Sequence, residues 1–265
     1  MKEYKNIITL NRNRRGCYII DTIKGCSGIL KYKGGCYNDC YAFKIANRYG
    51  FDFSSTIKRD FYKNNEQLDL FGFEDDIHMS KIIKAIKKIS MPFIRIGEMG
   101  DPSENWEHTI SVCKILALAK KPIVVITKHW KKIPDLILNE ITKLNICINT
   151  SVSALDDYNV LKYRLEQYNK LKNYCKSVLR IVSCNFNLRY SEGQLRTKIQ
   201  DDLFQNDKII DTVFRPDKNN PLIVNKIINV ETIKFLNTNM VASIYDKNTY
   251  FGYCNNCPDM CGVTL

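Results

Sequence analysis

CYIIDTIKGCSGILKYKGGCYNDCYAFKIANRYG, residues 17–50, is the stretch from which the rest of the chain is read. Its opening, mostly apolar run, Tyr18–Ile23, predicts a buried strand. A loop carrying Cys26, Cys36 and Cys40 follows at once, and a helix is expected over Tyr41–Tyr49, closed by Gly50 at a helix C-cap. Three cysteines on one strand-to-helix loop read as ligands of one metal centre. Gly25, Gly28, Gly34 and Gly35 let the backbone wrap closely around such a centre. Three thiolates leave one position of a four-coordinate site open. In an iron–sulfur cube, that is one iron not held by the protein.

Outward from this stretch, short apolar strands alternate with amphipathic helices. A mixed aromatic segment, 51–76, reads as an insertion, and a helix is expected over Ile77–Ile89. Strands are expected at Phe93–Gly97, Ile123–Thr127, Ile146–Thr150, Val178–Ser183 and Ile209–Phe214. The intervening helices carry Trp106 to Ala117, Pro134 to Leu144, Asp157 to Tyr174 and a last one opened by Ser191 and Gln194 in capping-box spacing. A short helix at Val230–Leu236 and a strand at Val241–Tyr245 complete the pattern. The alternation implies a parallel sheet with right-handed crossovers, as a partial (β/α)6-type barrel; a doubly wound sheet is the alternative. The domain plan is a basic lead-in at 1–16, the barrel at 17–246 and a cysteine-rich metal-binding tail at 247–265.

In such folds the site lies at the C-terminal ends of the strands. Each predicted strand here ends apolar and turns polar at once. The turns offer Glu98 and Asp101, Thr127 and Lys128, Ser151 and Ser153, Ser183 and Asn185, and Arg215. Arg180 sits inside a predicted buried strand, where it needs a partner.

The chain has 265 residues with eleven cysteines and a net charge of +12. It holds no apolar run of about 18 residues, so no membrane span is expected. Its first residues, MKEYKNIITLNRNRRG, lack the apolar centre of a signal peptide, which predicts a cytoplasmic protein. Metal ligands in a reducing compartment account for the cysteines better than a disulfide framework does. Cys113, Cys147, Cys175 and Cys184 read as buried structural thiols. Cys254, Cys257 and Cys261 have the spacing C-x2-C-x3-C, a metal pattern suited to a second [4Fe–4S] cluster or zinc, with a further ligand elsewhere. The positive charge admits nucleic acid as a partner, although the lysines are dispersed.

The cysteine loop after the first strand, "CYA" at 40–42 opening a helix and "GE" at 97–98 after the second strand resemble the radical SAM enzymes. The usual loop there is C-x3-C-x2-C, whereas this chain has C-x9-C-x3-C. In that departure it resembles a phage-associated branch, with GC at 25–26, GGC at 34–36, ITKH at 126–129 and NTSVSALDD at 149–157. The resemblance implies a [4Fe–4S] cluster on Cys26, Cys36 and Cys40 that binds S-adenosylmethionine and cleaves it reductively to a 5′-deoxyadenosyl radical. It also implies an electron donor such as flavodoxin or ferredoxin. Gly97 and Glu98 match the segment that receives the cofactor's ammonium. Ser151 and Ser153 match the position for its ribose or carboxylate, and the backbone at Tyr41 would lie by the adenine. Lys128 and Arg180 are further candidates for cofactor contact. The second reading is a metal-stabilised nucleic-acid-binding protein without radical chemistry.

Overall fold

The computed structural model describes residues 6–13, 15–61, 73–215, 220–228, 240–246, 249–250 and 252–265. Seven strands form the main sheet: β1 (Asn11–Arg12), β2 (Tyr18–Ile20), β3 (Ile94–Ile96), β4 (Ile123–Thr127), β5 (Ile146–Val152), β6 (Lys176–Ser183) and β7 (Ile209–Val213). Their spatial order follows the chain, from β1 at one edge to β7 at the other. β1 runs antiparallel to β2, with Asn11 opposite Ile19. Every later pair is parallel, and the longest registers run from Ile123↔Ile146 to Thr127↔Thr150 and from Cys147↔Lys176 to Val152↔Ile181.

A strictly sequential order decides between the two architectures. A doubly wound sheet reverses its strand order at a switch point, and this one does not. With crossovers of one hand, the helices all fall on one face and the sheet curls around the other. The side chains divide accordingly. Ile20, Ile94, Ile96, Ile123, Val125, Ile146 and Ile148 pack outward against apolar residues of the helices α2 (Phe73–Lys88), α3 (Trp106–Ala117) and α4 (Asp135–Ile141). Ile19, Phe93, Val124, Cys147, Val178 and Ile210 face inward. Period-two alternation with both faces apolar is what a covered parallel sheet demands. The partial barrel expected from the sequence is therefore the observed fold.

α5 (Tyr158–Leu171) and α6 (Ser191–Phe204) complete the outer layer. α3 is capped by Asn105, whose side chain accepts from His108 N at 2.9 Å. Two expectations about helix starts change. Pro134 is the N-cap, and its helix begins at Asp135. Ser191 is the first helical residue and caps nothing, while Gln194 donates to Leu188 O instead. The expected last strand is displaced too: Met240–Ala242 pairs antiparallel with Lys226–Ile228 in a separate two-stranded ribbon, outside the barrel sheet. The expected short helix at 230–236 lies outside the described residues.

Of the segment 51–76 expected as an insertion, residues 51–61 are tied to the fold, and 62–72 lie outside the described residues. Ile57–Lys58 pairs antiparallel with Ile23–Lys24, and Phe53 and Phe61 are buried. The cysteine tail also differs from a free extension. Met260, Cys261, Val263 and Leu265 pack on the inward-facing residues of the sheet. Their neighbours Cys147, Val178 and Ile210 lie near the beginnings of β5, β6 and β7, so the tail closes the end of the barrel opposite the cysteine loop. Lys176 Nζ donates to Val263 O at 2.8 Å and Asn149 Nδ2 to Cys261 O at 3.0 Å.

Candidate active site

The loop after β2 is held by its own backbone. Gly25 has φ +97°, and a Cβ there would stand 2.4 Å from Ser55 O. Cys26 N donates to Phe53 O at 2.8 Å, and Gly25 N to Met99 O at 3.1 Å, so the first cysteine is stitched to residues 53–55 and to the turn after β3. Ser27 adds its N–H and hydroxyl to Glu104 Oε1 at 2.7 and 2.6 Å. Farther along, Tyr37 and Asn38 are left-handed and Cys40 N donates to Gly34 O at 2.9 Å. Gly35, at φ +72°, leaves room where a Cβ would meet Cys40 Cβ at 2.4 Å. The tight turn thus folds the Cys36 end of the loop against Cys40, which is the N-cap of α1 (Tyr41–Arg48).

Cys26 and Cys40 belong to one apolar cluster with Ala42, Ala46 and Phe53. Burial pushes the Cys26 thiol up, and Asp101 and the neighbouring Cys36 add to the shift. Burial pushes Cys36 up to about 11, with Lys128 opposing and Cys40 reinforcing it. Cys36 is therefore within electrostatic reach of Cys26 and of Cys40. Among the described residues no three His, Cys, Asp or Glu side chains converge tightly enough to share a single ion.

The Gly97–Glu98 turn faces this loop. Gly97 has φ +95°, and a Cβ would stand 2.6 Å from Ile126 O. Glu98 and Met99 donate their N–H groups to Asp21 Oδ1 at 2.7 and 3.1 Å, and Tyr41 Oη donates to Glu98 O at 2.7 Å. Burial raises the Glu98 carboxyl, and Arg95 opposes that from 3.4 Å away. Sequence reasoning missed Asp21 and Arg95. Asp21 lies inside the run read from sequence as a strand to Ile23, whereas β2 ends at Ile20 and leaves Asp21 at its C-terminal end; Arg95 is a charge on an inward-facing strand position, the same signal that singled out Arg180.

Lys128 donates to Tyr37 Oη, and its ammonium lies 4.3 Å from that ring's centroid. Burial pulls Lys128 below its usual value, and Cys36 opposes that. The candidate serines divide. Ser151 is buried at the register position opposite Arg180. Ser153 is committed to its turn: its hydroxyl donates to Val182 O at 2.7 Å, and its N–H to Asp156 Oδ2 at 2.9 Å. Arg180 points inward, as its placement in a buried strand requires, but its partners are at the other end of the barrel. It donates to Thr212 Oγ1 at 2.6 Å, Asn149 Oδ1 at 3.3 Å and Cys261 Sγ at 3.5 Å.

Asp101 is a clamp. It accepts from Ser103 N at 2.9 Å, Ser103 Oγ at 2.7 Å, Thr127 Oγ1 at 2.6 Å and Lys128 N at 2.7 Å. Asp101→Asn puts an amide N–H₂ against donors whichever way it turns, and is expected to cost about 1–3 kcal/mol in a urea titration. An unchanged midpoint would show that the four bonds are dispensable.

His129 is a core residue. It is 1% exposed, its Nε2 sits 3.0 Å from Thr150 Oγ1, and its ring lies 5.5 Å from Trp106. Burial pulls its pKa from 6.5 down to about 4. Above pH 6.5 the ring is neutral in both states; below it the unfolded chain takes up a proton that the folded one refuses. Stability is therefore expected to fall by about 3 kcal/mol between pH 6.5 and 4. Urea midpoints measured across that window should slope less in His129→Leu than in the parent.

No protein-family model matches the chain, and no curated protein matches it. Solved structures do. A variant of spore photoproduct lyase with bound AdoMet and dinucleoside spore photoproduct matches with a TM-score of 0.53 at 11% identity, over 90% of this chain and 72% of that one. Spore photoproduct lyase complexed with dinucleoside spore photoproduct matches at 0.51 and 12%, over 92% and 73%. A further variant with the dinucleoside matches at 0.52 and 12%, over 90% and 72%. At these identities the likeness is one of fold.

Proposed function

We propose that the chain is a radical SAM enzyme whose cluster is held by Cys26, Cys36 and Cys40. The observation that supports the reading is the glycine-folded loop that carries Cys26, Cys36 and Cys40 at the C-terminal end of a partial barrel, beside Gly97–Glu98. The donors fit the group. They are three thiols with no competing imidazole or carboxylate on the loop between Cys26 and Cys36, and buried thiols give up their protons when metal charge compensates them. Such a cluster supplies one-electron reduction of a bound sulfonium, yielding methionine and a 5′-deoxyadenosyl radical that takes hydrogen from substrate.

The chain's own residues do the rest. Asp21 fixes the two N–H groups of the Glu98 turn, and Tyr41 fixes its carbonyl, so the carboxylate is presented without reorganisation. Glu98 receives the ammonium of S-adenosylmethionine. An incoming cation lowers a carboxyl that burial has raised, so binding and ionisation reinforce each other. Ser151 and Lys128 would serve the cofactor's ribose or carboxylate, and the Tyr41 backbone would lie by its adenine. The net charge of +12 and the dinucleoside carried by the structural neighbours favour a substrate containing nucleotide. A one-electron donor of the flavodoxin or ferredoxin class completes the cycle.

Protein purified without oxygen and reduced with dithionite should bind iron and convert S-adenosylmethionine to 5′-deoxyadenosine. Colourless protein that holds only zinc, forms no 5′-deoxyadenosine after iron and sulfide are supplied, and binds DNA or RNA with steep salt dependence would establish the non-radical reading instead.

A further inference from the structure

We infer that Cys17, Cys254, Cys257 and Cys261 form a second, four-thiolate metal centre that closes the N-terminal end of the barrel, with Cys17 the ligand that the tail's own spacing lacks. The inference does not rest on the chemistry proposed for the mouth.

The tail supplies three thiols in C-x2-C-x3-C, one short of a closed tetrathiolate site. The fold brings the fourth from more than 200 residues away in sequence. Asn13 Oδ1 accepts from Arg15 N at 3.0 Å and Cys17 N at 2.9 Å, which ties Arg15 and Cys17 into a turn closed by Asn13. That turn grips the tail: Arg15 O accepts from Cys254 N at 2.8 Å, and Arg15 Nε donates to Gly252 O at 3.0 Å. Cys17 and Cys254 lie in one buried cluster, and Cys261 and Met260 pack against it. Cys17 is fully buried and Cys254 nearly so.

Two further features point to an anion at this place. Arg95 and Arg180 reach the set from the inner face of the sheet. Arg180 donates to Cys261 Sγ at 3.5 Å, and Arg95 is drawn electrostatically to Cys17 and Cys261. Arg95 Nε is buried and finds no hydrogen-bond partner among the described residues, and the Glu98 carboxylate stands 3.4 Å from its guanidinium. A buried guanidinium short of a partner is costly. Four thiolates around a divalent metal, or around an oxidised [4Fe–4S] cluster, carry a net charge of −2 against two guanidiniums. Met260 and the proposed ligand Cys261 are both left-handed, at φ 44° and 54°, and no three of the four sulfurs stand close enough to share a single ion in this structure, so they draw together as the metal binds.

Cys147 is the nearest rival for the fourth position. Its Sγ points at the carbonyl of Cys261 from 3.8 Å and accepts from Asn149 Nδ2 at 3.4 Å, so it lines the tail's backbone. With four protein ligands no coordination position stays open, which makes the centre structural, and the four protons leave to solvent as it forms.

The test uses the full chain carrying Cys26→Ser, Cys36→Ser and Cys40→Ser, which removes the mouth's thiols and so separates the two centres. Expressed once in zinc-supplemented medium and once with iron and anaerobic purification, this protein should retain either one zinc or about four irons per chain. Whichever metal is found distinguishes zinc from an iron–sulfur cluster. Adding Cys17→Ser should lower that metal roughly tenfold or more, whereas adding Cys147→Ser should not. Equal metal with and without Cys17, or no metal in either preparation, would overturn the inference. Should Cys17→Ser fail to fold, alkylation of the parent provides the second measurement. Cys257, which is partly exposed, should resist iodoacetamide until a chelator is added and then react together with Cys254 and Cys261. Cys257 reacting equally fast with and without chelator, or a Cys17–Cys254 disulfide in anaerobically made protein, would overturn it.

Discussion

Alanine at Cys36 is expected to abolish formation of 5′-deoxyadenosine while leaving the fold intact. Cys36 is only partly buried and sits in a short turn whose shape is set by Gly34, Gly35 and the Cys40 N–H. Removing its sulfur therefore takes away a ligand without opening a core cavity. Losing a mere hydrogen-bond partner of a ligand costs roughly 10–100-fold; losing one of three ligands should exceed that and bring the rate to background. The iron bound at the mouth should fall in parallel, and the circular dichroism spectrum should stay as in the parent. A Cys36→Ala protein that still cleaves S-adenosylmethionine would remove Cys36 from the ligand set and reopen the question of which sulfurs hold the cluster.

Leucine at Arg164 is expected to cause the largest loss of stability. Arg164 is 1% exposed, yet carries a full charge. Its Nη1 donates to Asp156 Oδ1 and its Nε to Lys128 O, both at 2.6 Å, and its guanidinium lies 4.8 Å from the Trp130 ring. These contacts join the end of β4 to the turn after β5. Breaking one side of a buried pair strands the other charge, at a cost of about 3–5 kcal/mol. At 2–4 °C per kcal/mol, the melting temperature should drop by roughly 6–20 °C. The double variant Arg164→Leu, Asp156→Leu should recover part of that loss, because no carboxylate is then left unpaired. A single variant melting within a degree or two of the parent would mean that Asp156 finds another partner.

Much of this could be read before any coordinates, and the reasons are physical. Parallel strands covered on both faces are continuous apolar runs, and Ile123–Thr127 and Ile146–Val152 announce themselves that way. The cysteine loop was legible because its chemistry is local: three sulfurs and four glycines within sixteen residues. What escaped was whatever depends on distance in sequence. Asp21 gains meaning only when it accepts from Glu98, 77 residues later. Arg180 was recognisable as a charge that needs a partner, but that the partner would be Cys261 was not. The tail reads as a polar appendage because its apolar members, Met260, Val263 and Leu265, are too sparse for any period. Asp101 reads from sequence as a polar residue offered at the mouth, and its four donors commit it to joining the turns after β3 and β4.

The way residues 252–265 fill the inside of the sheet bears on how the chain is made. Arg15 and Gly252 meet across 237 positions, so nearly everything between them must have emerged from the ribosome before that contact can form. Until then the strands can align and the outer helices can dock, but the inner wall stays wet. Folding during synthesis is thus held one step short of its end, and contacts between distant parts of a chain are the slow ones. A nascent chain stalled before codon 252 should be cut by protease at the inner strands, and one stalled far enough beyond codon 265 should resist.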